Sequence, residues 1–115
     1  MRKIKISEDA YLDIELMFAY ISRENKSAAM KLYRKIYTGI KRLADFPFKH
    51  PIMQEEDAPG IERGYRYMVV NPYIVFYRVF NDDIIIARVL HTRQNWLHTL
   101  FGSFDENHEK TQDKL

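Results

Sequence analysis

Three consecutive strand-like runs dominate the second half of this chain. They are rich in β-branched and aromatic side chains and span residues 65–70, 73–80 and 84–90. Turn signals separate them at Asn71-Pro72 and at residues 81–83. Runs of this kind between turn signals predict three antiparallel strands.

Each of the three runs contains an arginine where an apolar residue would be expected: Arg66, Arg78 and Arg88. Arginine is rarely buried without a partner. Either internal acids pair with these side chains, or one sheet face is open and meets an anionic ligand or partner. The simpler alternative for each arginine is an edge position, a snorkelling side chain, or a pair with an acid of the first helix.

The strand register predicts which of these side chains share a face. If both turns are two-residue hairpins, with Asp82-Asp83 forming the second, then Arg66, Tyr77 and Arg88 lie in one row on one face. Arg78 and His91 then lie on the other face. A change of one residue in either loop would exchange the faces of a strand.

The composition is that of one soluble globular domain. The chain has 115 residues, of which 46% are hydrophobic and 30% charged, and this length suits a single two-layer core. It has no cysteine, which excludes a disulfide framework and thiolate metal sites. No run approaches about 18 apolar residues and no signal peptide is visible, so we expect a cytoplasmic protein without membrane contact.

The pattern of the first half predicts a short strand within residues 2–6 and two helices. The first helix is capped by Ser7 and reaches about Ser22, and the second is capped by Ser27 and reaches about Ala44. A long loop over residues 45–63 leads to the three strands. Thr92 begins a short final helix, and residues 103–115 are a polar, disordered tail after a single domain of residues 1–102.

This order predicts an α+β fold. It is a two-layer sandwich in which the N-terminal strand joins a mainly antiparallel four-stranded sheet, and the helical hairpin covers one face. The other face is expected to be partly bare. The first helix is apolar around much of its circumference, which indicates an additional partner surface, such as a homodimer contact. The outer face of the second helix is basic, and a solvated face is favoured over a nucleic-acid surface.

The usual catalytic and metal-binding motifs are absent from the sequence. The four histidines have no metal-ligand spacing, the four glycines form no phosphate-binding loop, and no serine lies in a nucleophile motif. We therefore expect no metal and no cofactor. His91 is the exception that bears on catalysis, because a histidine can act as general acid or base near neutral pH.

RNA cleavage by the 2′-hydroxyl needs a general acid or base, together with cations that stabilise the negative charge developing on the phosphate. His91 with Arg66, Arg88 and Arg93 would supply that set. The alternative, which we favour, is a histidine that packs at a strand end and hydrogen-bonds to the backbone.

Five segments together resemble the ParE/RelE superfamily, the toxin halves of bacterial type II toxin–antitoxin pairs. They are residues 4–14 (IKISEDAYLDI), 43–47 (LADFP), 64–66 (GYR), 73–79 (YIVFYRV) and 84–93 (IIIARVLHTR). The likeness covers about residues 2–100. It implies the sandwich described above, with its open sheet face covered by the C-terminal segment of an antitoxin.

The resemblance also implies two candidate activities. RelE-type members cleave mRNA in the ribosome, whereas ParE-type members inhibit DNA gyrase. The long first helix and the proline that follows Leu43 look more like ParE, and the sheet lacks the lysines typical of RelE-like enzymes.

We therefore expect a ParE-like toxin that inhibits DNA gyrase and is neutralised by a cognate antitoxin, with which it would form a hetero-oligomer. The residues expected to contact partners are Arg66, Tyr77, Arg78, Arg88, His91 and Arg93. On this hypothesis Arg66→Ala or Arg88→Ala relieves growth inhibition without unfolding the chain. The alternatives are a ribosome-dependent mRNA endonuclease that uses His91 with Arg66, Arg88 and Arg93, and a non-toxic module that sequesters an antitoxin.

Overall fold

The computed structural model describes residues 2–54 and 64–93, which form two helices and four strands. The elements are β1 (Lys3–Ile6), α1 (Glu8–Ser22), α2 (Lys26–Arg42), β2 (Tyr65–Val70), β3 (Tyr73–Phe80) and β4 (Asp83–His91). The strand order is β1-β4-β3-β2, in which β1 runs parallel to β4 and the other neighbours are antiparallel. The predicted α+β sandwich with a mainly antiparallel sheet is confirmed.

The two helices begin at side-chain caps, one of which differs from the prediction. Ser7 Oγ accepts a hydrogen bond of 3.0 Å from the N–H of Ala10, as expected. At α2 the cap is Asn25, whose Oδ1 accepts a bond of 2.9 Å from the N–H of Ala28. Ser27 lies inside the helix, so its predicted capping role is wrong. Asparagine in an extended conformation is as good an N-cap as serine, and it comes first in the chain.

The first hairpin has the predicted register and the second does not. Val70 lies opposite Tyr73, so Asn71-Pro72 is the two-residue loop. In the second hairpin Phe80 lies opposite Asp83, so the two-residue loop is Asn81-Asp82. The prediction that Asp82-Asp83 forms this loop is wrong. Asn81 has φ 56°, a left-handed conformation that asparagine tolerates better than most residues.

A β-bulge in β4 changes which side chains share a face. Tyr77 lies opposite Ile86, whereas Phe76 lies opposite Arg88, so Ala87 is the extra residue. Arg66 does lie opposite Tyr77, but the predicted continuation of that row to Arg88 is wrong. An extra residue exchanges the faces of everything beyond it.

The exchange separates two residues that were expected to share a face. His91 lies opposite Tyr73 and packs against its ring on the helix side of the sheet. Arg78 lies beside Tyr65 on the opposite side. The predicted grouping of Arg78 with His91 is therefore wrong.

The main core lies between the helices and the sheet. Its most buried members come from every element except β1, and they include Ala10, Ile14, Ile36, Val75, Tyr77, Ile84 and Ile86. Ile4 and Ile6 of β1 pack against this cluster, as their alternation predicted. At α2, Gly39 allows close approach to the sheet, because a Cβ there would lie 3.0 Å from Met68 Cε.

A second, smaller cluster covers part of the opposite sheet face. Met53, Phe76 and Leu90 are buried there. Residues 51–54 run antiparallel to the outer edge of β2, where Ile52 bridges Arg66. The cluster therefore covers part of this face, which agrees with the expectation that the face is only partly bare.

The apolar excess of α1 is visible at its surface. Leu12, Leu16 and Tyr20, spaced one turn apart, are 51%, 68% and 70% exposed. A homodimer through this stripe remains a prediction. The predicted final helix and the tail of residues 103–115 lie outside the described residues.

Within residues 2–54 and 64–93, no helix is long and apolar enough to span a membrane. In the same part of the chain no group of three or more His, Cys, Asp or Glu side chains is placed to hold a metal ion.

Substitution of Asn25, compared with substitution of Ser27, tests directly which residue caps α2. We expect Asn25→Ala to lower the free energy of unfolding by about 1 kcal/mol, because the N–H of Ala28 loses its acceptor. The matched control Ser27→Ala should change it by less than about 0.5 kcal/mol. Urea denaturation followed by circular dichroism measures both, and equal losses would contradict the assignment.

Candidate partner-binding site

The first turn of α1 completes the edge of β4 where β1 ends. Ile6, the last residue of β1, lies beside Ile86, so within residues 2–54 and 64–93 no strand pairs with that side of β4 beyond this point. Ser7 fills the gap: its N–H donates to Ile86 O at 3.0 Å and its Oγ donates to Ala87 O at 2.9 Å. The carbonyl of the bulged residue is therefore paired, and α1 is fixed to the sheet at its start.

Asp13 makes the second link between α1 and β4. Its carboxylate accepts two bonds of 2.8 Å from Arg88, one from Nε and one from Nη2. Asp13 Oδ2 also accepts a bond of 2.9 Å from the N–H of Val89. The side chains of Asp13 and Arg88 are 11% and 24% exposed. A bidentate, largely desolvated pair of this kind is a strong and geometrically specific interaction.

The pKa of Arg88 agrees with a permanent ion pair. The hydrogen bonds that Arg88 donates to Asp13 raise the pKa of Arg88, burial opposes this increase, and the negative charge of Asp13 adds to it. The alternative that an arginine pairs with an acid of the first helix is thus confirmed for Arg88. A sequence signal existed, because Asp13 lies within the stripe of Ala10, Ile14 and Met17, which are the buried residues of α1.

Arg66 and Tyr77 hold the segment that follows α2. Arg66 Nη1 donates a bond of 2.7 Å to His50 O, and its guanidinium lies 5.1 Å from the centroid of the Phe48 ring. Tyr77 is fully buried, and its hydroxyl donates to Pro47 O at 2.9 Å. In this structure Tyr77 is a core residue whose side chain has no exposed surface for a partner.

The environment of this segment shifts two pKa values. Burial raises the pKa of Tyr77, and the positive charge of Arg66 opposes the increase. Burial and the neighbouring charge of Lys49 lower the pKa of His50. Sequence reasoning missed Phe48 and His50, because neither belongs to a periodic pattern and their positions depend on Arg66.

Phe48 is notable because it is a large exposed ring between two arginines. Its side chain is 57% exposed, and the guanidinium of Arg2 lies 5.6 Å from its centroid, on the same ring that Arg66 approaches. Cation–π contacts at exposed sites contribute about 0.5–1 kcal/mol each. The two contacts hold both guanidinium groups beside Phe48, in the segment that follows α2.

The remaining candidate residues lie apart from this cluster. Arg78 approaches the ring of Tyr65 at 5.2 Å, on the face away from the helices. His91 packs edge-on against Tyr73 at 5.1 Å between centroids, and its Nδ1 accepts a bond of 3.0 Å from the N–H of Arg93. The interpretation of His91 as a strand-end histidine bonded to the backbone is confirmed. Arg93 itself is exposed.

The side chains proposed for RNA cleavage do not converge. His91 lies in the row of Tyr73 and Arg66 in the row of Tyr77. Four residues along a strand correspond to roughly 13 Å at 3.3 Å per residue. Arg88 is neutralised by Asp13, so among the described residues Arg93 is the one candidate cation next to His91 in the chain.

The family is decided by a match along most of the chain. The model of the ParE toxin of the parDE type II toxin–antitoxin system matches residues 4–96. The chain belongs to the ParE toxin family. The predicted membership of the wider superfamily, and the preference for ParE over RelE, are both confirmed.

One relative and one solved structure are similar to this chain along most of its length. The chain is 28% identical over 101 residues to a protein of Sinorhizobium fredii (strain NBRC 101917 / NGR234) named "Putative toxin Y4kP", covering 86% of this chain and 97% of the relative. It also matches a chain of the structure "Chromosomal ParDE TA system from P. aeruginosa" with a TM-score of 0.62 and 20% identity. That match covers 79% of this chain and 96% of the other, and it shows that the two share a fold.

The Asp13–Arg88 pair leads to a prediction that separates structural from surface arginines in this ParE-family chain. We expect Arg88→Ala to lower the free energy of unfolding by roughly 2–4 kcal/mol, because a largely buried carboxylate loses its partner. The control Arg93→Ala removes the same charge from an exposed position and should cost less than about 0.5 kcal/mol. Chemical denaturation measures both, and equal stabilities of the two variants would contradict the structural role of Arg88.

Proposed function

We propose that this ParE-family toxin inhibits DNA gyrase and is neutralised by a cognate antitoxin. The observation that supports this most strongly is the ParE family match over residues 4–96. An inhibitor that acts by binding needs an exposed surface and no catalytic centre. The proposed site of action is the cytoplasm, where gyrase works on DNA.

The geometry favours an inhibitor over the alternative mRNA endonuclease. General acid–base catalysis requires the proton-transferring group and the phosphate-binding cations around one reacting atom. Arg66 and Arg88 are engaged with His50 and Asp13 respectively, and Arg66 lies several residues along the sheet from His91. No observation in the described residues favours the endonuclease or a non-toxic module.

Among the residues proposed for partner contacts, we favour those whose side chains are exposed or partly exposed. Arg93 is exposed, and Arg66, Arg78 and His91 are partly exposed. Rim charges of this kind act mainly on association rate and specificity. Arg88 is better regarded as a support for β4 and α1, and Tyr77 as a support for the segment that carries Phe48 and His50.

One pair of assays distinguishes gyrase inhibition from mRNA cleavage. We expect the purified protein to block supercoiling of relaxed plasmid by gyrase and to leave ribosome-bound mRNA intact. Premixing with the cognate antitoxin should restore supercoiling, because the toxin's binding surface is then covered. A toxin of known ribosome-dependent activity serves as the control for mRNA cleavage.

The opposite result would overturn the proposal. Cleaved mRNA together with normal supercoiling would identify an endonuclease and would give His91 a catalytic role. Growth without arrest on induced expression, together with unimpaired gyrase, would instead identify a module that only binds an antitoxin.

A further inference from the structure

Five side chains form a straight stripe along the outer face of α1. They are Asp9, Leu12, Leu16, Tyr20 and Arg23, and they are called the α1 stripe below. At about 100° of rotation per residue, all five positions lie within about 40° on either side of Leu16. Arg23 is the C-cap and keeps right-handed helical backbone angles, so the stripe continues through it.

The middle of the α1 stripe is apolar and faces outward. Leu12, Leu16 and Tyr20 are 51%, 68% and 70% exposed, and the charged ends, Asp9 and Arg23, are also exposed. A single exposed apolar side chain is ordinary. Three of them on successive turns form a contiguous patch, and such patches mark interaction sites on soluble proteins.

The apolar surface continues from the stripe to the end of β4. A cleft of about 220 Å³ lies between α1 and β4 there, and its lining includes Leu16, Tyr20, Tyr73, Leu90 and His91. A partner that sits on the α1 stripe therefore has more apolar surface within reach than one helix face provides.

The two ends of the α1 stripe carry opposite charges at equal distances from its centre. Asp9 lies seven residues before Leu16, and Arg23 lies seven residues after it. Neither Asp9 nor Arg23 forms an ion pair with another described residue. The apolar residues Leu12 and Tyr20 are likewise four residues before and after the centre. A stripe with this symmetry is complementary to itself when it is turned end for end.

We propose that the α1 stripe binds a second copy of this chain, with the two α1 helices antiparallel about a two-fold axis. On the axis Leu16 meets the partner's Leu16. One turn away Leu12 meets the partner's Tyr20. At each end of the pair Asp9 meets the partner's Arg23. An interface of this kind uses the same patch of both copies, so every contact away from the axis occurs twice.

The charges select the antiparallel direction. In a parallel pair Asp9 would meet the partner's Asp9, and Arg23 would meet the partner's Arg23, so both ends would repel. In the antiparallel pair both ends attract. The antiparallel pair also places the positive end of one helix dipole beside the negative end of the other.

The apolar residues select the register. A shift of one turn in one direction would set Leu12 opposite the partner's Glu24. A shift of one turn in the other direction would set Tyr20 opposite the partner's Glu8. Either shift places an exposed apolar side chain against a carboxylate, so the register centred on Leu16 is favoured.

The width of the stripe sets the expected strength of the dimer. Stable interfaces bury about 1,200–2,000 Å² in total, and weaker contacts fall below that range. A surface one helix wide lies at the lower end, so we expect a dimer that dissociates at micromolar concentrations. The proposal concerns the chain alone and does not depend on gyrase or on an antitoxin.

Sedimentation velocity of the full chain across the micromolar range tests the stripe. We expect Leu16→Glu to weaken dimerisation by about tenfold or more, because two carboxylates then face each other on the axis. The matched control is Phe80→Glu, since Phe80 is 58% exposed on β3. It should leave the dissociation constant within about threefold. A chain that stays monomeric throughout the range, or equal effects of the two variants, would overturn the proposal.

An exchange of charges tests the direction of the pair. Asp9→Arg and Arg23→Asp should each weaken dimerisation by about fivefold or more, because both end contacts become repulsive. The double variant should return to within about threefold of the original chain. It should also melt at a lower temperature, because both new charges oppose the helix dipole, so the recovery is not an effect of stability. Two weakened single variants without recovery in the double variant would overturn the antiparallel pairing.

Cross-linking tests the position of the axis. The chain has no cysteine, so Leu16→Cys introduces one thiol per copy, at the proposed two-fold axis. A short bismaleimide should link Leu16→Cys into a covalent dimer and should leave the control Phe80→Cys largely monomeric. Equal yields of dimer from the two variants would overturn the contact at Leu16.

Discussion

The carboxylate of Asp13 is the constraint on which the arrangement of this molecule depends. It accepts three hydrogen bonds from β4, two from the Arg88 side chain and one from the Val89 backbone. With Ser7 it bonds to the edge of β4 beyond Ile86, where none of the described strands pairs with β4. The bulge at Ala87 belongs to the same arrangement, because it shifts the register of Arg88 and His91 relative to β3. The helix layer, the bulge and the position of His91 are therefore parts of one structural unit.

The arginines in and after the sheet fall into two groups, those that bond to α1 or to the segment after α2 and those that lie elsewhere. Arg88 is held by an internal acid, and Arg66 is held by the carbonyl of His50 and the ring of Phe48. Arg78 and Arg93 lie elsewhere, on the opposite face and beyond the end of β4. Arg88 is paired with Asp13, and Arg66 lies in the row of Tyr77 whereas His91 lies in the row of Tyr73, so these two cations do not meet at His91.

The sequence predicted most of the fold because its signals are local. The strand runs, the Ser7 cap and the helical periodicity each depend on neighbours within a few residues, and each was found. The register of β4 depends on a bulge that no local sequence pattern predicts. A count of residues from the turn therefore places Arg88 and His91 on the wrong faces of the sheet. Asp13 carried a usable signal, a carboxylate within a buried stripe. The positions of Phe48 and His50 depend on how the segment after α2 reaches the outer edge of β2, which a single sequence does not specify.

The most direct test of this account is a double-mutant cycle at the link between α1 and β4. Asp13→Ala, Arg88→Ala and the double variant would be compared by urea denaturation, so that the coupling excludes the separate bond of Asp13 to Val89. The account predicts a coupling energy of about 2 kcal/mol, in line with a bidentate and largely desolvated pair. A coupling below about 0.5 kcal/mol, as for an exposed ion pair, would contradict it and would return Arg88 to the residues available for catalysis or partner contact.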